Sequence, residues 1–385
     1  MKISKIRLLT IFMLFLVISL SLSPFALAKT RKTYLSDFLL DNFIDDEGFS
    51  NCNREDYRDD SNEVSYEATA YALEILGKYN MLEEKDLFGK VEKRYNSSDL
   101  QDDLEEHLNS MYTSGIKDIY DTYYILKSLE EMDEEIDSTL ALRIKLYLDG
   151  AAQSNGGFAA TDTSTSATLI STYFALQIYD LIDQPLPDPR GFVLSCGNPD
   201  DPDGGYGGEP ESSSTIANTF YAILIMDFLD DFDALISESL TISYLNSFYI
   251  DDEEDEDNYG GYLPDQNAKY ALISSTYYCL KAISLLDKDE IEDEDATSEW
   301  LLDRQNFQDG GFVDQSEGYE QKYSSVISTY FAQEALDLLG KEDLLEEKVF
   351  MLEWEWYDFL IFFIILIALI TLGIIGLYIR RKRRL

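Results

Sequence analysis

A pair of glycines followed by an aromatic residue occurs four times in this chain, and the spacing of those places limits the fold more than any other feature. The triplets are Gly156-Gly157-Phe158, Gly204-Gly205-Tyr206, Gly260-Gly261-Tyr262 and Gly310-Gly311-Phe312. Each leads into a run with helical patterning and a threonine near its start. The runs are "STYFALQIYDL" from Ser171, "NTFYAILIMDFL" from Asn218, "STYYCLKAISLL" from Ser275 and "STYFAQEALDLL" from Ser328. Two weaker copies come first: "ATAYALEIL" from Ala68 follows Gly48-Phe49, and "DTYYILKSL" from Asp121 has no glycine pair. The aligned threonines are Thr69, Thr122, Thr172, Thr219, Thr276 and Thr329, in steps of 53, 50, 47, 57 and 53 residues. Such a period marks a repeat architecture.

Between each of these helices and the next turn lies a second helical segment, such as "STLALRIKLYL" from Ser138 and "ATSEWLLDRQ" from Ala296. The unit is therefore helix, glycine turn, helix. No stretch sustains a two-residue alternation between turns, so strands are at most incidental. Six units give about twelve helices in two alternating layers, which either stack as an open array or close into a ring. Six copies near fifty residues suit closure. A phosphate-cradling loop would occur once, after a strand, with Lys and Ser or Thr after its last glycine. "DGGYGGEP", starting at Asp203, instead follows a helical segment, is trailed by Glu209 and Glu211, and recurs. Its glycines are assigned to a tight turn from one helix layer to the other.

The two ends do not belong to this pattern. Lys2, Lys5 and Arg7 precede an apolar run from Leu8 to Leu20, and small residues at Ala26–Ala28 close it, so residues 1–28 read as a cleaved signal peptide. Residues 29–345 form the repeat domain and 346–358 a juxtamembrane segment. The uncharged run from Phe359 to Ile379 has 21 residues. At ~1.5 Å per residue it reaches ~31 Å, the thickness of a bilayer core. Trp354, Trp356 and Tyr357 stand at interface depth before it, and residues 380–385, five of them basic, follow. That basic tail puts the C-terminus in the cytoplasm and the repeat domain outside a cell membrane, spanned once.

Charge and cysteine usage narrow the partners. The chain has 74 acidic against 30 basic residues, a formal net charge of −44, with much of the positive charge at the ends. Such a surface repels nucleic acid and anionic head groups. It is mainly a solvated face, and calcium is the cation its acidic loops would suit. Cys52, Cys196 and Cys279 have neither metal spacing nor a disulfide framework. Pairing of Cys52 with Cys196 is open, as is glycosylation of Asn96 in "NSS".

The stretches "DGGYGGEPESSSTIANTFYAI" and "RQNFQDGGFVDQ…STYFAQEAL" resemble the repeats of the protein prenyltransferase β-subunit and terpenoid cyclase family, over roughly residues 33 to 345. The resemblance implies an all-α fold, an α/α toroid with six inner helices around a central cavity and six outer ones around them. It also implies motifs that this chain lacks. Zinc prenyltransferases place a zinc-binding His just before the threonine that matches Thr276; here that residue is Ser275. Their Asp-x-Cys on the preceding inner helix corresponds to Ala217 and Thr219. The sole histidine, His107, stands in "DLEEHLNS", away from every inner helix. A catalytic zinc needs about three converging ligands, so zinc is disfavoured. The cyclase acid Asp-x-Asp-Asp is on none of the inner helices, and "DDEEDEDN" from Asp251 reads as a solvated loop. The thioester motif Cys-Gly-Glu-Gln of other toroids is absent from "SCGNPDD".

One helical stripe, at positions −4, −1, +3 and +7 from each threonine, is the expected lining of the hole. Its polar part supplies Thr168, Ser171, Thr215, Asn218, Ser275, Ser325 and Ser328, and its apolar part follows toward the helix ends. A hydroxyl-rich mouth above an apolar floor suits an isoprenoid-like small molecule with a polar head, or a protein segment. The competing reading gives the hydroxyls to helix capping and the apolar half to interhelical packing. Asp118 and Asp121, one turn apart in the copy without glycines, are the weak catalytic candidates: they would act as acid and base on a glycosidic bond, or merely favour a helix start. The sequence thus leads to a membrane-anchored extracellular binding ring without zinc. Its alternatives are an active transferase or cyclase with unrecognised residues and a carbohydrate-active toroid.

Overall fold

The computed structural model describes residues 29–349, apart from short loops at 45–46, 53–62, 86–90, 94, 96–97, 114, 162, 198–202, 233–234, 307 and 315–322, together with Thr371. The signal segment, the apolar run 359–379 (Thr371 excepted) and the basic tail lie outside the described residues. Among the described residues no helix is long and apolar enough to cross a membrane. The chain divides into two compact units, residues 30–347 and the two termini. The first unit holds the repeats.

Twelve α-helices are described. They are α1 Arg31–Asp41, α2 Tyr66–Lys78, α3 Ser98–Thr113, α4 Ile119–Glu131, α5 Ser138–Ala151 and α6 Leu169–Leu181. They continue with α7 Arg190–Cys196, α8 Ile216–Phe228, α9 Glu238–Asn246, α10 Ile273–Asp287, α11 Glu294–Asp303 and α12 Val326–Leu338. The even-numbered helices form the inner ring: α2 packs on α4, α4 on α6, and so on to α12, which packs back on α2. The odd-numbered helices lie behind them, as α7 does on α8 and α11 on α12. Short antiparallel ladders occur at turns, for example Phe158 paired with Thr168 and Ala159 with Ala167.

Every inner helix begins three residues before its threonine, and in five of the six the side chain at −4 caps it. Ser65, Asp118, Thr168, Thr215 and Ser325 each accept a hydrogen bond from a first-turn N–H, whereas Leu272 cannot. The ends follow a rule as well. Asn80, Asp133, Asp183 and Asp230 take a left-handed conformation two residues past the helices they close, the short-polar alternative to a glycine cap.

The recurring threonine has one task in five of the six copies. Its Oγ1 accepts the backbone N–H of the aromatic residue in the turn: Phe49 to Thr69, Phe158 to Thr172, Tyr206 to Thr219, Tyr262 to Thr276 and Phe312 to Thr329, all at 2.9–3.0 Å. The threonines are fully buried, so each bond satisfies a donor that has no access to water. In the second copy no such turn exists, and Thr122 instead bonds the Tyr112 hydroxyl at 2.8 Å.

The glycine pair serves a close approach as much as a turn. Gly260 has φ +90°, and a Cβ there would lie 2.5 Å from the Ala296 carbonyl oxygen at the start of α11. The second glycine of each pair faces a ring on the following outer helix: Phe192, Tyr244 and Trp300 in turn. For the last pair the following outer helix is the first one, since Gly311 lies against Phe38 of α1. The same closure appears in hydrogen bonds. The first N–H of an inner helix, unpaired within the helix, donates to a carbonyl in the next turn: Ile119 to Ala160, Leu169 to Gly208 and Ile273 to Asp314. Val326 of α12 donates to Asn51, at the other end of the sequence.

Candidate functional site

The helical face at +3 and +7 from each threonine is buried in the protein core, with Ala72, Ile125, Ala175, Ala222, Cys279 and Ala332 all at 0 % exposure. A different face lines the central cavity. At +1 and +2 from the threonines stand Tyr123, Tyr173-Phe174, Phe220-Tyr221, Tyr277-Tyr278 and Tyr330-Phe331, with Tyr71 from α2, and these surround a cavity of about 110 Å³. Leu224 and Lys281, at +5, complete the lining. Since an α-helix turns about 100° per residue, +1, +2 and +5 lie opposite the stripe −4, −1, +3 and +7.

Aromatic packing nearly fills the hole. Tyr71 stacks on Tyr330 with centroids 4.0 Å apart, Phe220 on Tyr278 at 4.6 Å and Tyr277 on Phe331 at 5.0 Å. Tilted and edge contacts join the rest, such as Tyr123–Phe174 and Tyr173–Tyr221. Each good ring pair adds ~0.5–1.5 kcal/mol beyond area burial. Burial raises the phenols of Tyr71, Tyr123, Tyr221, Tyr277 and Tyr330 well above their usual range, so they remain neutral donors.

Charged groups gather beside this box on α2, α4 and α12. Burial pushes the Glu74 carboxyl up to about 7 against the pull of Lys127, with Glu334 and Glu131 adding to the rise. Lys127 is held by Glu131 at 2.8 Å and Glu130 at 3.0 Å. On α2, Glu67 also titrates high because of burial, opposed by hydrogen bonds from Tyr124 and Tyr71. Tyr124 Oη donates to Glu67 Oε1 at 2.8 Å and meets Tyr71 Oη at 3.3 Å. A continuous polar chain therefore runs from Glu67 to the central cavity.

The polar residues of the sequence stripe are engaged at helix starts. Thr168 Oγ1 and Ser171 Oγ lie 2.7 Å apart in a reciprocal cap, and Ser171 Oγ also donates to the Phe158 carbonyl at 2.6 Å. Ser275 Oγ makes the equivalent bond to the Tyr262 carbonyl at 2.6 Å. Asn218 Nδ2 donates to Thr215 Oγ1 at 2.8 Å, and Ser325 Oγ to Ser328 Oγ at 2.8 Å. None of the seven lines the cavity among the described residues. The overlooked signal is the aromatic doublet after nearly every threonine, which reads as core packing when hydroxyls are taken to mark chemistry.

Asp118 caps α4, its Oδ1 accepting the N–H groups of Tyr120 and Asp121 at 2.8 and 3.2 Å. The Asp121 side chain takes no part in that cap, and Asp121 lines a second pocket with Glu67, between the starts of α2 and α4. Its carboxyl is raised by burial and by Asp118, and lowered by His107. His107 is exposed on α3 and makes a tilted ring contact with Tyr66, with centroids 4.8 Å apart.

The described residues do not fit a zinc centre. Ser275 is committed to a carbonyl where a ligand would stand, and no group of three or more His, Cys, Asp or Glu among the described residues is placed to hold a metal ion. The acidic run from Asp251 forms a turn around Asn258, whose Nδ2 donates to both Asp255 carboxylate oxygens and to the Lys269 carbonyl. Cys196 and Cys279 are buried free thiols.

Comparison with known proteins supports this architecture. Residues 90–190, 183–263 and 257–354 each match the model of the prenyltransferase alpha-alpha toroid domain. Among solved structures, Candida albicans protein geranylgeranyltransferase-I complexed with GGPP is 16% identical with a TM-score of 0.52, covering 75% of this chain and 82% of that one. The apo type II terpene cyclase MstE from Scytonema is 13% identical with a TM-score of 0.53, covering 82% and 97%. A protein from Actinoplanes is 12% identical with a TM-score of 0.52, covering 80% and 98%. At these identities the likeness is one of fold. No curated protein sequence gives a significant match.

Proposed function

The chain belongs to the prenyltransferase alpha-alpha toroid family, and from that premise we propose that it is a binding ring anchored outside a membrane, with the central aromatic box as its ligand site and no catalytic zinc. The observation that carries this reading is the convergence of tyrosine and phenylalanine rings from all six inner helices on one small cavity, with Lys281 in its lining. Apolar walls with a few polar groups are what an apolar-tailed ligand with a polar head requires. The fold neighbours hold such ligands: GGPP in the transferase, and geranylgeranyl dihydroxybenzoate in a variant of the Scytonema cyclase.

Size sets a limit on the ligand. A drug-sized pocket is ~300–1,000 Å³, and a ~150 Å³ apolar cavity accommodates one benzene ring. The 110 Å³ here encloses a single branched end unit, and the rest of a longer chain would lie outside it. The signal segment, apolar span and basic tail supply the extracellular tether in this reading.

The test is native mass spectrometry of the full-length chain in micelles with geranylgeraniol. One molecule per chain is expected, and Leu224→Trp, which fills the cavity, should abolish binding while leaving helicity intact. Undiminished binding by that variant would sink the proposal.

Glu74 favours a second reading, an acid-initiated cyclase-type enzyme. A carboxyl that keeps its proton near neutrality beside an aromatic box can donate it to an apolar substrate. Conversion of geranylgeraniol to a cyclic product, lost in Glu74→Gln, would establish this reading; absence of any product leaves the binding ring.

A further inference from the structure

We propose that the pocket between the starts of α2 and α4 is a second site, which binds a small organic ammonium ion through Glu67 and Asp121 against Tyr66, Tyr120 and Tyr124. The pocket has a volume of about 610 Å³ and these five residues line it. That volume is within the ~300–1,000 Å³ of small-molecule sites, and the pocket is distinct from the central box in place and in chemistry. The inference stands independently of the ligand proposed for that box.

Its charge is one-sided. Glu63 joins Glu67 and Asp121 in the lining, and no lysine, arginine or histidine does so among the described residues. Two helix starts contribute about +0.5 charge each, which leaves three carboxylates well in excess. Both partly buried carboxylates are under-compensated. Burial holds Glu67 high although Tyr124 donates to it at 2.8 Å. Asp121 is raised by burial and by neighbouring Asp118, and His107 only partly offsets this from α3. A cation in the pocket would supply what these groups lack.

The tyrosines make the cation an organic one. Ring faces attract ammonium groups at ~0.5–2 kcal/mol each as they desolvate, and ammonium N–H groups match carboxylate oxygens. Calcium would need six to eight oxygens converging on one point, and no metal-holding group of side chains is present among the described residues.

The experiment is isothermal titration of the full-length chain, in zwitterionic lipid nanodiscs, with 1,4-diaminobutane. Saturable one-site binding is expected, weakened more than about tenfold by Glu67→Gln or Asp121→Asn, since each removes one partner of a charged contact. Tyr66→Leu should weaken it about threefold. The exposed Glu254→Gln on the distant acidic loop should change nothing, which separates a site from diffuse attraction to an acidic surface. N,N′-diacetyl-1,4-diaminobutane, of similar shape but neutral, should not bind. Equal binding of the diacetyl compound, equal loss in Glu254→Gln, or no saturation overturns the proposal. Circular dichroism of each variant checks its fold, and Asp121→Asn and Tyr66→Leu carry the test should Glu67→Gln not fold.

Discussion

The four repeats that carry a glycine pair and the two that precede them solve one structural problem by different means. In the later four a glycine sits at φ near +90°, which at Gly204, Gly260 and Gly310 presses the turn against the next outer helix, and threonine holds the turn's aromatic N–H. In the first copy a single glycine, Gly48, serves the turn, and in the second none does: Thr122 turns to the Tyr112 hydroxyl and Asp118 caps the helix by itself. The unusual polar groups lie on the irregular side. Glu67, Glu74, Asp121 and Lys127 all belong to α2 and α4. Where the turn is standardised the helices serve as frame; where it is not, the same positions bear charges that burial perturbs.

The largest way to break this comparison is Gly260→Ala. It adds overpacking of ~1–3 kcal/mol to ~1–2 kcal/mol for a left-handed residue, so denaturant unfolding should show a loss of ~2–5 kcal/mol. Gly156→Ala has the same φ, but its Cβ would meet nothing closer than 3.7 Å, so only the conformational ~1–2 kcal/mol is expected. Equal losses at both sites would refute the close-approach role of the first glycine.

Glu74→Gln tests the irregular side. With a folded-state pKa raised to about 7 from 4.5, the native chain binds more protons than the unfolded one between these values. Wild-type stability therefore falls as pH rises through that window and levels off above it. The variant should lack this fall and be up to ~3 kcal/mol more stable above pH 7, at 1.36 kcal/mol per unit. Parallel pH profiles for the two proteins would show that Glu74 is not perturbed.

Thr276→Val keeps the shape and leaves the buried Tyr262 N–H without an acceptor, at ~1–3 kcal/mol. Thr122→Val loses the Tyr112 contact and the hydroxyl's bonds to the Asp118 carbonyl and Met111 Sδ, but orphans no backbone N–H, and should cost ~1–2 kcal/mol. The smallest effect is expected from Asp118→Ala, the loss of one helix cap at ~1 kcal/mol. Binding of 1,4-diaminobutane should survive it, whereas Asp121→Asn should not preserve that binding.

The scaffold was legible in the sequence because it depends on residues with few substitutes. Glycine at φ near +90°, a short polar cap at −4 and a threonine at fixed spacing are each demanded by local geometry, so the repeat shows through. The lining was not legible, because aromatic residues serve core and cavity alike. Tyr277 and Tyr330 look like packing in one dimension, and only the phase of the helix turns them inward. Hydroxyls misdirect the eye the other way: Ser171 and Ser275 look chemical and are spent on the carbonyls of Phe158 and Tyr262. The Glu67–Asp121 pocket joins residues 54 positions apart, and no local pattern announces it.

The last glycine pair rests on Phe38 of α1, and the first N–H of α12 donates to Asn51. A linear array can gain or lose a unit and needs special end units to cover its raw faces. Here the sixth unit covers the first, so there are no raw faces and the copy number is arithmetic rather than taste. Deleting one unit would not yield a shorter version of this molecule; it would leave a gap that the remaining five could bridge only by changing every angle between them.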